Sequence, residues 1–347
     1  MGKIAYIALD LHARSCTLGV MDAAGRFLGN RQFQTSEKQL VNALEMVTAK
    51  HKHLVIEEGP LTRWAAQVAS AHVERVVTCD SRENALIYKS SSKRDTLDTV
   101  KLCRLLRLGE LKHVYQPESD HRAIFKAAAR HYIDLRHQLI AIKQKIKAVF
   151  RYWGVINCFG TRLYGAKGRQ GYLQQIPHGV VQHQLLRLYE LMDSHVQAKE
   201  SAKAELKELS RRYPEIREFK KISGIGALNA SLFDAFIQTP HRFVTKRQLH
   251  RYCRLGVTER SSDGKPLGYQ RLDRSGIGEL KAISHRSFVA SMRGDNEVKR
   301  FYQQSLARTH NKVHARLNTQ RKVLSVMYGL WKKGGTYRAD LFLDPSA

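Results

Sequence analysis

The sequence predicts an α/β domain at the N-terminus, a long basic helical region in the middle and a mainly α C-terminal domain. Three observations predict it. An apolar run, Ile4-Ala-Tyr-Ile-Ala-Leu9, ends in Asp10; strand-like and helix-like patterns alternate up to Leu108; and from His121 the pattern turns helical and heavily basic. The expected divisions are residues 1–115, 116–215 and 216–347.

Charge narrows the function classes. Lys and Arg number 59 against 31 Asp and Glu, a net charge of +28. Such a chain repels itself unless a polyanion neutralises it, so nucleic acid is the expected partner and a membrane surface the weaker alternative. No stretch approaches the roughly 20 apolar residues of a spanning helix. Met1-Gly-Lys-Ile4 leads into a strand without the apolar core of a secretory leader, so the expectation is a cytosolic protein with no membrane partner. Cys16, Cys79, Cys103, Cys158 and Cys253 lack the close pairing of a zinc site and read as reduced core thiols. The 16 histidines contain no His-Glu-x-x-His pair.

Ile4 to Leu9 suits a central strand buried on both faces and delivering Asp10 at its end. Ser15 to Met21 and Arg26 to Phe33 add two strands around the turn Asp22-Ala-Ala-Gly25, completing a meander. Ser36-Glu-Lys-Gln39 has the form of a capping box, predicting a helix through Leu40, Leu44 and Val47 to about Lys50. Leu54-Val-Ile56 is a strand closing on Glu57 and Glu58. A helix through Trp64 and Val68 follows, then a strand from Val73 to Thr78 and a short helix capped by Ser81.

In Lys93-Arg94-Asp95-Thr96-Leu97-Asp98, a helix from Asp95 to Leu108 sets two acids three apart on one face. With Asp10 and Glu57 at strand ends, the four carboxylates suit a pair of divalent cations acting on a phosphodiester. A meander followed by alternating strands and helices is the ribonuclease-H-like arrangement, with acids at adjacent strand ends and on a later helix. The alternative is that Asp10 and Glu57 merely end strands while Asp95 and Asp98 complement a helix dipole.

His121 to Gly154 and Leu185 to Arg212 read as an antiparallel helix pair, with Asn157 to His178 between them a flexible basic loop. In the C-terminal domain, Lys221-Ile-Ser-Gly-Ile-Gly226 before Ala227, Ala230 and Leu232 reads as a helix-hairpin-helix element whose turn offers backbone N–H groups to a phosphate. Arg260-Ser-Ser-Asp-Gly-Lys265 is by composition a hairpin turn. Val298 to Ala339 holds no acid and reads as an amphipathic basic helix or helix pair along a phosphate track, ahead of a tail from Asp340.

Ile7-Ala-Leu-Asp10, Val55-Ile-Glu57-Glu-Gly-Pro60 and Lys93-Arg-Asp95-Thr-Leu-Asp98-Thr resemble the DEDD-type transposases of the insertion-sequence-110 family, relatives of the Piv DNA invertases. Leu255-Gly-Val257 and the segment after Arg260 resemble that family's second, serine-containing segment. The resemblance implies a RuvC-like site at Asp10, Glu57, Asp95 and Asp98 holding Mg2+ or Mn2+, with Glu58 the alternative to Glu57. It implies Ser262 as the nucleophile, with Ser261 the alternative, and helices of the middle region in a coiled-coil-like contact of a homo-oligomer, a dimer or tetramer. A noncoding guide RNA beside the DNA is implied too, as is a cytoplasmic, nucleoid-associated location. Where the family has proline the chain has Ser223, which predicts a slightly looser turn; Ile277 replaces the asparagine expected after Arg271-Leu-Asp-Arg-Ser-Gly276. A serine suits a recombinase that rejoins DNA without ATP, because a phosphoserine bond conserves the energy of the phosphodiester. The alternatives are a RuvC-like nuclease that attacks with water and a non-catalytic nucleic-acid-binding protein.

Overall fold

Side chains on alternate faces of its strands give the N-terminal sheet a helix layer on each side. The computed structural model describes residues 4–80, 95–117, 119–258, 261–262, 265–266 and 271–343, with the backbone alone for 95–97, 261–262 and 265–266. They divide into two units, Met1–Gln116 and Pro117–Ala347. The first runs β1 (Ile4–Leu11), β2 (Ser15–Asp22), β3 (Phe27–Gln34), α1 (Glu37–Glu45), β4 (His51–Glu57), α2 (Thr62–Ala69), β5 (Arg75–Cys79) and α3 (Asp95–Leu108). The sheet order is β3-β2-β1-β4-β5, antiparallel through the meander and parallel from β1 to β4 to β5.

The predicted order of elements matches this unit, while the Ser81 cap lies outside the described residues. Ser36 accepts from the Gln39 N–H at 3.3 Å, as the capping pattern requires. Helix α1 stops at Glu45, short of Lys50, because the chain must turn back for β4 to pair Lys52 with Ala5. Ala5, Ile7, Leu9, Leu54 and Ile56 form one core with α1 and α2. Ala8, Val55, Val77 and Cys79 form the other with Leu102, Cys103, Leu105 and Leu106 of α3.

The second unit begins with α4 (Asp120–Tyr152), α5 (Ala166–Leu173) and α6 (Gly179–Ser210). The long helices are antiparallel: Ile142, Ile146 and Phe150 share a core with Leu185 and Tyr189, whereas Phe125 and Ala129 at the other end share one with Ala202 and Leu206. The flexible basic loop expected at 157–178 is instead folded. Cys158, Leu163 and Ile176 are buried, and Arg169 is tied bidentately to Asp193 with both contacts at 2.6 Å.

Next come α7 (Glu215–Phe219), α8 (Ala227–Ile237), a 3-10 turn (Pro240–Arg242) and α9 (Lys246–Tyr252). Two small hairpins pair β6 (Val257–Thr258) with β9 (Arg271–Leu272) and β7 (Ser261–Ser262) with β8 (Lys265–Pro266). The chain then runs through α10 (Gly278–Ser291), α11 (Glu297–Thr309), α12 (Lys312–Lys333) and a 3-10 turn (Asp340–Leu343). The acid-free stretch is thus a helix pair, broken at His310 in the left-handed region. The expected tail is partly docked: Phe342 is buried and meets Phe301 edge-on. All five cysteines are buried and free of disulfides. Among the described residues no helix is long and apolar enough to cross a membrane.

Candidate active site

Parallel pairing sets Leu9 beside Ile56, and one residue further β1 reaches Asp10 while β4 ends at Glu57. Ala8 and Val55, two residues earlier, pack toward α3, so alternation puts Asp10 and Glu57 on the α3 side and Glu58 on the other. Asp10 is 15% exposed, with Oδ1 3.3 Å from His12 Nε2. Glu58 is exposed.

Three contacts fix how α3 lies on the sheet. Thr99 rests on Gly19, which pairs with Ala8; the Cys103 thiol donates to the Tyr6 carbonyl at 3.4 Å; and the Arg107 guanidinium reaches Gly25, beyond the end where Ala5 pairs with Asp22. The helix therefore runs antiparallel to β1 and directs its N-terminus to the strand ends that carry Asp10 and Glu57. Gly19 is required there, since a Cβ on it would lie 2.8 Å from Thr99 Cβ. Burial pushes the Cys103 thiol up to about 12, keeping it neutral in the contact. Half-buried Asp98 directly precedes Thr99, and Asp95 opens the helix with its side chain outside the described residues. Lys93 and Arg94 lie outside them too. Among the described residues no three His, Cys, Asp or Glu side chains form a metal cluster.

The turn after Glu57 is locked by a residue the sequence reading passed over. Buried Thr62 donates from Oγ1 to the Glu57 carbonyl at 2.6 Å and accepts from the Gly59 N–H at 2.7 Å. Its signal was a threonine two residues past Pro60, opening a helix.

In the second unit, Ser261 and Ser262 form β7, with Ser262 opposite Lys265 of β8. Arg260, Asp263 and Gly264 lie outside the described residues. At the foot of this hairpin the Asp273 N–H donates to the Gly256 carbonyl at 2.8 Å. The Asp273 carboxylate accepts from the Ser275 N–H at 2.7 Å and meets Arg251 Nε at 2.7 Å. Ser275 foremost, then Arg251, holds that carboxyl below its ordinary range. The Arg271 to Gly276 segment is thereby a bracket between β9 and α9.

Between α7 and α8, the Ser223 N–H and hydroxyl both donate to Glu297, at 2.9 and 2.8 Å, and the Tyr337 hydroxyl donates to it at 2.8 Å. Burial of Glu297 works against its charge, but these donors outweigh it and lower the carboxyl's pKa. The expected loosening at Ser223 is not what the turn displays, because a carboxylate grips both donors that proline lacks. Gly224, at φ +86°, approaches the Ser287 carbonyl so closely that a Cβ would lie 2.3 Å from it. Gly226 is exposed and heads α8 with no side-chain cap.

Residues 7–152 match the family model of the DEDD-type IS110 transposases, and residues 216–303 match that of the transposase IS116/IS110/IS902 family. The chain belongs to the IS110 family of transposases. It is accordingly an enzyme that acts on DNA in the transposition of a mobile element, and the α/β unit is its DEDD, ribonuclease-H-like part. The first match holds Asp10, Glu57, Asp95 and Asp98; the second holds the Gly224 turn and both serines. No curated protein matches the chain.

Proposed function

We propose that this transposase cuts and rejoins DNA through a metal-assisted serine intermediate, with Asp10, Glu57, Asp95 and Asp98 as the metal ligands and Ser262 as the nucleophile. The observation that carries the reading is the antiparallel seat of α3, which directs its acid-bearing end to the neighbouring strand ends of Asp10 and Glu57. An all-carboxylate donor set suits Mg2+ or Mn2+ rather than zinc. Such cations, when bound, stabilise charge on the attacking and leaving oxygens of a phosphodiester. In the proposed step the Ser262 oxygen gives up its proton, bonds to phosphorus and displaces one ester oxygen, which leaves as a hydroxyl. One ester bond forms for one broken, so rejoining needs no external energy.

We further propose that the work divides among residues 1–115, 116–215 and 216–347, and that the α4 and α6 pair joins copies of the chain into a homo-oligomer. The turn at 221–226 serves as a helix-hairpin-helix phosphate contact, supported by the exposed start of α8. The net charge of +28 supports a guide RNA beside the DNA.

A DNA substrate that traps the covalent intermediate tests the chemistry. The expected adduct maps to a peptide containing Ser262 and is absent in Ser262→Ala. An adduct on Ser261 moves the nucleophile by one residue. Cleavage without any adduct favours a RuvC-like nuclease using water.

A further inference from the structure

We propose that the cavity at the foot of the serine hairpin, between α9 and α12, is a phosphodiester-binding site that grips the backbone of a nucleic-acid strand. It has a volume of about 600 Å3 and is lined by Arg247, His250, Arg251, Arg321 and the segment Leu255 to Val257. No acid lines it.

The cations differ in how they are compensated. Arg251 meets Asp273 at 2.7 Å and is spoken for. Arg321 is half-buried and donates from Nε to the Leu255 carbonyl at 2.8 Å, yet among the described residues no carboxylate pairs with it. Arg247 is exposed and likewise makes no ion pair among the described residues. Two guanidiniums without a counter-ion, one partly withdrawn from water, leave an electrostatic deficit that an anion relieves. The planar guanidinium fork matches a phosphate's oxygens in spacing and direction.

His250 shares the cavity, with Nε2 2.9 Å from the Ser325 hydroxyl. Burial first, and Arg321 second, push its pKa down to about 4, with Lys246 adding to the effect. The imidazole is therefore neutral at physiological pH and adds no charge of its own, while it senses the charge of Arg321.

A phosphodiester is favoured over an acidic peptide because Val257, on the cavity wall, leads within four residues into the paired serines of an enzyme that acts on DNA. The inference rests on the C-terminal unit handling nucleic acid, and it holds whichever serine attacks.

The test uses full-length, nuclease-treated protein with isotope-labelled histidine. The His250 ring is titrated by NMR alone and with a short DNA duplex, the matching single-stranded DNA, the matching RNA, or poly-glutamate. Nucleic acid is expected to raise the His250 midpoint, because a phosphate seated on Arg321 makes the imidazolium less costly. Arg247→Ala, an exposed change that leaves the fold intact, is expected to raise the half-saturating concentration for this response at least fivefold. Total DNA binding by anisotropy should fall less. The DNA and RNA arms identify whose backbone is seated. DNA that binds by anisotropy while His250 stays unmoved overturns the proposal, as does an unchanged response in Arg247→Ala or a response to poly-glutamate alone. A His250 response without a serine adduct keeps the cavity and rejects the nucleophile; an adduct without the response does the reverse.

Discussion

Thr99 of α3 sits in the gap that Gly19 of β2 leaves open, so close that any side chain on Gly19 would collide with it. This contact sets the depth at which α3 lies on the sheet and hence the position of Asp98 one residue earlier. Gly19→Ala is expected to cost about 1–3 kcal/mol by overpacking. Chemical denaturation measures the loss, and Thr99→Ala in the same background, which removes the Oγ1 that would also lie 2.8 Å from the new Cβ, should recover part of it. An unchanged midpoint would show that α3 takes its position from elsewhere.

The placement of the acids on their elements was legible in the sequence because Asp10 and Glu57 follow apolar strand runs and Asp95 and Asp98 fall in the first turn of a helix, where composition and periodicity agree. Their relative depth was not, since it depends on Gly19 meeting Thr99 across 80 residues, which no local pattern encodes. The same holds for Thr62, whose hydroxyl bridges a turn, and for Ser223, whose partner Glu297 comes from a distant helix start. The folded insert around Arg169 was read as a loop because glycines and cations stand out in its composition, while its buried residues, Cys158, Leu163 and Ile176, are spaced too irregularly to give a period.

Arg122 holds a second distant constellation together. It bonds Asp234 and, at 2.6 Å, Glu215, and its guanidinium stacks 3.9 Å from the Tyr213 ring centre. Asp234 is fully buried, and burial drives its pKa well above the ordinary value against the pull of Arg122. Arg122→Met strands that carboxylate and should cost about 3–5 kcal/mol. Asp234 then binds its proton more tightly folded than unfolded, so the loss should deepen as pH rises above the unfolded carboxylate pKa. Asp234→Asn should cost less. Denaturation of both variants at pH 5 and pH 8 checks the order and the sign.

His250 gives the opposite pH dependence. Its folded pKa of about 4 lies below the unfolded value of 6.5, so between these limits the unfolded chain takes up a proton that the folded protein refuses. Its contribution is fully present above pH 6.5 and is lost as pH falls toward 4. Over that span the shift is worth about 3 kcal/mol. His250→Gln should flatten the fall in stability between pH 7 and pH 4.5 relative to wild type. Parallel curves for the two proteins would contradict it.

Ser223 stands where the related transposases are expected to have proline, and its two bonds to Glu297 make it a test of local adaptation. Ser223→Pro removes both donors and leaves that buried carboxylate to the Tyr337 hydroxyl. A cost of about 1–3 kcal/mol is expected. Glu297→Gln should reduce this cost in a double-mutant cycle, because the amide needs fewer donors than the carboxylate. Additive losses would mean that the serine acts through backbone geometry alone.

If Asp10, Glu57, Asp95 and Asp98 hold cations, the same acids repel one another when the cations are removed. Asp98→Asn should therefore leave the EDTA-treated protein as stable as wild type or slightly more so, while reducing the gain in stability when Mn2+ is added. Linkage sets the scale: a cation at ten times its dissociation constant adds about 1.4 kcal/mol to a protein that binds it only when folded. Thermal denaturation in EDTA and in Mn2+ separates the two effects without relying on turnover. DNA binding should persist, because the second unit's cations, proposed above to hold phosphates, are untouched, while strand cleavage is lost. A variant that Mn2+ stabilises as strongly as wild type would exclude Asp98 from the metal site, and the acids at the strand ends would then need another partner.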